Sequence, residues 1–275
     1  MSLRLSELTP GAVALVGVPF DENSSYLRGP AHGPLRVREA LFSGSTNASA
    51  EDGTVVLGSG RFFDVGDVLP STEGSAFAAI ETGVAAVLAR GAHALSLGGD
   101  HSVTYPILRA HAARHPDLAI LHFDAHPDLY DEFEGNRFSH ASPFARIMES
   151  GLARRLVQVG IRTLNAHQAE QASRFGVEMV EMREFTAELR FDFDSPLYVT
   201  IDLDALDPAY APGVSHHEPG GLSVRELLRV LERSRGRVVG ADVVELNPLR
   251  DPVGATAAVA AKLVKELAAR ILRDA

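Results

Sequence analysis

No cysteine occurs in the 275 residues, which excludes disulfide staples, thiolate-bound zinc and a thiol nucleophile. No apolar run approaches the ~20 residues needed to cross a bilayer. The first ten residues, MSLRLSELTP, also lack the apolar core of a secretory leader. These absences lead to the expectation of a cytoplasmic protein. Lysine and arginine form no cluster and the net charge is −10, which argues against nucleic-acid and anionic-membrane partners. The phosphate loop GxxxxGK[ST], the zinc helix HExxH and the serine elbow GxSxG are all missing. Gly58-Ser59-Gly60 runs into Arg61-Phe62-Phe63 without the third glycine of a dinucleotide fingerprint.

What is present is an ordinary globular balance, 45% hydrophobic and 23% charged, able to bury a sizeable core. Short apolar runs at 12–18, 61–66, 93–97, 118–123, 155–161, 197–202 and 237–245 read as strands. Amphipathic patterns at about 33–42, 75–90, 102–114, 165–175, 223–234 and 253–272 read as helices between them. Runs such as LYVTI and AILHF are apolar throughout, as strands covered on both faces are. The alternation predicts an α/β fold in three α/β/α layers around a mostly parallel sheet, with residues 1–275 as a single domain. Stretch 42–60 reads as an exposed loop, and the Pro- and Gly-rich segment 203–222 as a long functional one.

Three segments carry chemistry. Gly98-Gly99-Asp100-His101, Asp124-Ala125-His126-Pro127-Asp128 and Asp202-Leu203-Asp204 each follow a strand, at the edge where open α/β sheets place ligands. His101, Asp124, His126, Asp128, Asp202 and Asp204 would then converge. Alone, a DxD is most often a solvated turn and a strand-end histidine a surface residue. Four carboxylates together at a buried edge are costly unless cations neutralise them, and two divalent ions match their charge. Oxygen-rich ligands with two imidazoles favour two Mn2+, with nickel, cobalt or zinc as alternatives. Asp100 and Asp207 read as residues that orient ligands or turns, and His122 as a core histidine or the support of a ligand.

In the segments GGDHS (98–102), DAHPD (124–128), SH (139–140), DLDALDP (202–208) and VVELNP (243–248), the sequence resembles the ureohydrolase family of arginases, agmatinases and their relatives. The resemblance runs from about Gly17 to Arg270. It is nearest the plant-type arginases in NSS (23–25), GSTN (44–47), DEFEGNRFSHAS (131–142) and APGVSHHEPGG (211–221). Many agmatinases read GT after the SH and GTGTPEPGG in the later loop, so this wording favours arginine over agmatine.

The resemblance implies an arginase-like fold and a manganese-dependent hydrolase that releases urea from a small cationic guanidino substrate. It implies that Asp124 and Asp202 bridge two metals. His101 and Asp128 complete one position and His126 and Asp204 the other. His140 becomes the proton shuttle and Glu245 the partner of the guanidinium. Trimers or hexamers are the implied assembly. Asn136 and Ser139 of loop 129–139, with His216 and His217 opposite, are candidate readers of the far end of the substrate. The leading expectation is arginine to ornithine and urea. Agmatine to putrescine and urea comes second, and a non-catalytic metal-binding protein of the same fold is the reading from another class.

Overall fold

The computed structural model describes residues 3–69 and 75–275. Among them, eight strands form one parallel sheet: β1 (Val13–Gly17), β2 (Phe62–Asp67), β3 (His93–Leu97), β4 (Ala119–Phe123), β5 (Arg155–Ile161), β6 (Glu178–Glu181), β7 (Leu197–Asp202) and β8 (Val238–Val244). Their order is β2-β1-β3-β8-β7-β4-β5-β6, and every pairing is parallel. The described helices are α1 (Gly33–Leu41), α2 (Ala76–Leu88), α3 (Thr104–Arg114), α4 (Pro143–Glu149), α5 (Ala166–Phe175), α6 (Val224–Arg233) and α7 (Ala255–Asp274).

The sheet has two cores because its strands are apolar on both faces. Val13, Leu95, Leu121 and Val199 face α1, α6 and α7 through Val37, Leu227, Leu263 and Leu267. The alternate residues Ala14, Ala94, Ile120 and Tyr198 face α2, α3 and α4 through Val84, Ile107 and Phe144. Helix boundaries follow local chemistry: Ser223 and Glu226 close a reciprocal capping box at the start of α6. α5 starts on Asn165 and stops at Gly176, whose φ of 65° suits glycine.

Two elements were not expected. β6 is a four-residue edge strand, EMVE, too short and too charged to stand out as an apolar run. α4 is a seven-residue helix begun by Pro143 inside what reads as loop.

The sheet places the site by register. Leu97, Val243, Ile201 and Phe123 lie in one row across β3, β8, β7 and β4. The residues that follow each of them reach one edge together: 98–101, 245, 202–204 and 124–128. The four central strands therefore deliver four chemically distinct segments to one place, the region predicted for ligands in such sheets.

Candidate active site

The turn after β3 depends on close backbone approach. A Cβ on Gly99 would lie 1.8 Å from the Phe20 carbonyl oxygen, so a side chain there is excluded. Asp100 N–H donates to that carbonyl at 2.9 Å, and a short 3-10 turn then buries His101 completely. Its Nδ1 stands 3.1 Å from Asp124 Oδ2, 3.1 Å from Asp128 Oδ2 and 3.2 Å from Asp202 Oδ2. It makes no hydrogen bond of acceptable geometry to any of them. A buried nitrogen aimed among three carboxylate oxygens is costly on its own, and the donor set suits a divalent cation. A second group lies alongside: His126 Nδ1 is 3.1 Å from Asp204 Oδ2 and 3.4 Å from Asp124 Oδ1. Asp124 thus offers one oxygen to each group.

Two of the surrounding residues sit in left-handed backbone, Asp128 at φ 51° and Glu245 at φ 65°. Neither is glycine, and such strain persists where the surroundings over-determine it and clusters at functional sites. Glu245 N–H is tied to the Gly99 carbonyl at 2.9 Å. Its Oε1 accepts from His101 N–H at 2.9 Å and lies 3.3 Å from His140 Nδ1.

Two positions back along the strands from Asp124 and Asp202, Ser96, Asp242, Thr200, His122 and Gln158 stand in register across β3, β8, β7, β4 and β5, all fully buried. This polar row orients what lies above it. Thr200 Oγ1 is 3.2 Å from His101 Nε2, and Tyr198 and Thr104 hydroxyls donate to Asp242 at 2.8 and 3.0 Å. Gln158 donates its amide N–H groups to the Pro127 carbonyl and to His122 Nδ1. His122 Nε2 therefore carries the ring proton and donates to Asp124 Oδ2 at 2.8 Å. Burial pulls the His122 pKa down to about 4, so the ring is neutral. His122 supports a carboxylate, although its Nε2 lies close enough to be grouped with His101 and Asp124 as a metal donor.

Burial and the charges of Asp204 and Asp124 push the Asp202 carboxyl well above its ordinary range. Burial and Asp124 push Asp128 up to about 6. Burial works against charge on His126, but Asp204 and Asp124 outweigh it and raise its pKa to about 12. Without metal the cluster therefore holds protons at neutral pH, and a cation must displace them. Affinity for a divalent cation is expected to rise with pH, with proton release on binding. Metal titrations at about pH 6 and about pH 8 with a pH indicator check this, and an affinity independent of pH contradicts it.

A cavity of about 230 Å³ opens on the cluster, lined by His126, Asp128, Asp202, Asp204, Glu245 and His140. Tyr130, Phe133, Thr163, Gln168, Ser25 and His216 complete much of its wall. Of the four residues expected to read the far end of a substrate, His216 lines this cavity and the others lie elsewhere. Asn136 donates to Asn23, and Ser139 accepts from Ala141 N–H within its own turn. His217 reaches the Pro212 carbonyl and lines an outer pocket instead. Asp207 accepts backbone N–H groups of Ala209, Gly220 and Gly221, which closes loop 203–222 on itself. Thr163 and Gln168 escaped the sequence reading although they follow β5 at the same sheet edge. Strand-end position alone could have flagged Thr163.

Comparison with known proteins agrees with this geometry. The sequence model of the Arginase family matches residues 11–269. Arginase 1 of Arabidopsis thaliana is 49% identical, with 98% of this chain and 84% of that one covered. An agmatinase of Bacillus anthracis is 36% identical, covering 93% of this chain and 90% of the relative. The structure of an arginase from Medicago truncatula superposes with a TM-score of 0.89 at 46% identity, over 94% of this chain and 87% of that one. The Arabidopsis enzyme, like its rice counterparts, is named as a mitochondrial arginase, and these relatives overturn the cytoplasmic location expected from the sequence. The expectation failed because it weighed secretory signals alone, whereas organelle-targeting segments are amphipathic and Arg-rich.

Proposed function

The chain belongs to the arginase family, and from that membership we propose that it hydrolyses the guanidinium group of L-arginine to give ornithine and urea. The observation that carries this reading is the Glu245–His140 pair, which opens on the same cavity as His126, Asp128, Asp202 and Asp204. Family membership and the grouped His and Asp residues support a binuclear metal site. In the proposed arrangement Asp124 and Asp202 are shared. His101 and Asp128 complete one position, and His126 and Asp204 the other. Manganese is the proposed metal, and a trimer or hexamer the proposed assembly. When bound, a pair of divalent ions supplies Lewis acidity and a water-derived nucleophile at neutral pH.

The chain's own residues supply orientation and proton delivery. A guanidinium is planar and charged, and the Glu245 carboxylate matches it through charge-assisted hydrogen bonds that fix its plane. Fixing both partners in one small cavity makes the attack effectively intramolecular. The amine must be protonated to leave. His140 is the proposed donor: burial works to lower its pKa, but the hydrogen bond and charge of Glu245 outweigh burial and raise it to about 9. It therefore holds its proton at neutral pH, beside the residue that anchors the substrate. Tyr130, Phe133, Thr163 and Gln168 would enclose the rest of the substrate.

The 49% identity to an arginase against 36% to an agmatinase supports arginine as the substrate. Turnover of arginine in 18O-labelled water tests the reaction type. The label is expected in urea and absent from ornithine, and citrulline or unlabelled urea as the product would sink the reading.

A further inference from the structure

His140 can act only if its ring is held with the correct nitrogen toward the substrate, and an imidazole on a loop has no intrinsic reason to stay so. Resting on the function proposed above, we propose that Ser25 is the positioning residue of His140. It clamps Nε2 from the side opposite Glu245. Ser25 Oγ lies 2.8 Å from His140 Nε2, while Nδ1 lies 3.3 Å from Glu245 Oε1. The ring is thus spanned between a hydroxyl and a carboxylate. A hydroxyl suits this place because it accepts from Nε2–H when the ring is charged and donates to Nε2 when the ring is neutral. Ser25 can therefore hold one orientation through both protonation states, which neither a carboxylate nor an amide N–H could do.

The loop that carries Ser25 has no regular structure, so something else must fix it. That anchor is Asp100, the buried carboxylate beside His101. Its Oδ2 accepts from Asn23 N–H at 3.0 Å and from the Ser24 hydroxyl at 3.4 Å. Its Oδ1 accepts from Ser102 N–H at 3.1 Å and from the Ser102 hydroxyl at 2.5 Å. The Asn23 amide donates to Ser102 Oγ at 3.1 Å and accepts from Asn136 at 3.1 Å. The Asn23 carbonyl in turn accepts from His140 N–H at 3.2 Å. Residues 23–25 therefore hold both the backbone and the ring of His140, and Asp100 holds residues 23–25. This gives Asp100 and Asn136 roles in placing the proton donor.

The test uses the full-length protein and three variants: Ser25→Ala, Ser25→Thr, and His140→Asn to identify the ring signals of His140. With diamagnetic zinc in place of manganese, the 15N resonances of the His140 ring are expected to move in Ser25→Ala, and Ser25→Thr should restore them. Turnover in Ser25→Ala should fall about two- to tenfold, the size expected for one lost hydrogen bond. KM and metal content should stay unchanged, and Ser25→Thr should recover the rate. Unmoved ring signals in Ser25→Ala would overturn the proposal. So would a rate loss that comes with a changed KM and is not recovered by threonine. If the unaltered protein makes no urea, the proposed function fails, while the ring resonances still decide whether Ser25 holds His140.

Discussion

Glu245→Gln is expected to lower kcat/KM by about 10²–10³-fold with metal content unchanged, which corresponds to losing one partner of a buried charge pair, about 2–5 kcal/mol. Glu245 is 4% exposed and held in left-handed backbone, so glutamine inherits its place and shape but not its charge. Oε1 already serves His101 N–H and His140 Nδ1, and glutamine can keep at most part of that. Two losses then add in one variant. The guanidinium loses its charge-assisted anchor, which weakens both substrate and transition state. His140 also loses the neighbour that does most to raise its pKa to about 9, and burial then draws the value down against the weaker pull of Asp128 and Asp100. With the folded pKa lowered, the ring surrenders its proton at lower pH, so the alkaline side of the rate profile should collapse earlier in the variant. Steady-state kinetics across pH, together with metal analysis, measure both effects. A variant that kept most of its kcat/KM would contradict the role of Glu245, and one that lost its metals would relocate it.

The second large effect is expected at Asp124. Asp124→Asn should abolish binding of the second metal equivalent and cut turnover by about a hundredfold or more, since even residues one layer behind a ligand cost 10–100-fold. Asp124 is fully buried and stands between the two groups, with Oδ2 toward His101 and Oδ1 toward His126. Asparagine removes a full negative charge from the place that faces both positions. It also presents an N–H group either to His122 Nε2–H or to the His126 N–H that the carboxylate accepts at 2.6 Å. One of these contacts becomes donor against donor, so the side chain has no comfortable orientation. Metal stoichiometry by elemental analysis and urea release measured on the same preparation check the prediction. Two equivalents of metal in the variant would show that Asp124 is not shared.

Much of this site was legible in the sequence because the chemistry sits where the fold exposes it. His101, Asp124, His126, Asp128, Asp202, Asp204 and Glu245 each follow an apolar run, and register across β3, β8, β7 and β4 brings those strand ends together. Charge conservation did the rest: four acids at one edge demand compensation. The positions that sequence reasoning missed depend on contacts far apart along the chain. Ser25 meets His140 across 115 positions and Asn23 meets Asp100 across 77, with no periodic signal to mark either. Asn136 and Ser139 have the right chemistry for a substrate reader, but Asn136 donates its amide N–H to Asn23 and Ser139 accepts within its own turn. Of the polar row from Ser96 to Gln158, all but His122 was hidden, for another reason. One polar residue inside an apolar strand looks like noise until strand order sets five of them side by side.

In the proposed function this cavity hydrolyses a guanidinium group, and the guanidinium is that of arginine. Urea release by the manganese-loaded protein, with L-arginine and agmatine assayed side by side over a range of concentrations, tests it most directly. Saturable urea release is expected, with kcat/KM for arginine far above that for agmatine, lost on chelation and restored by metal. A preference for agmatine would contradict the substrate, and no urea from either substrate by protein holding two metals per chain would contradict the reaction itself.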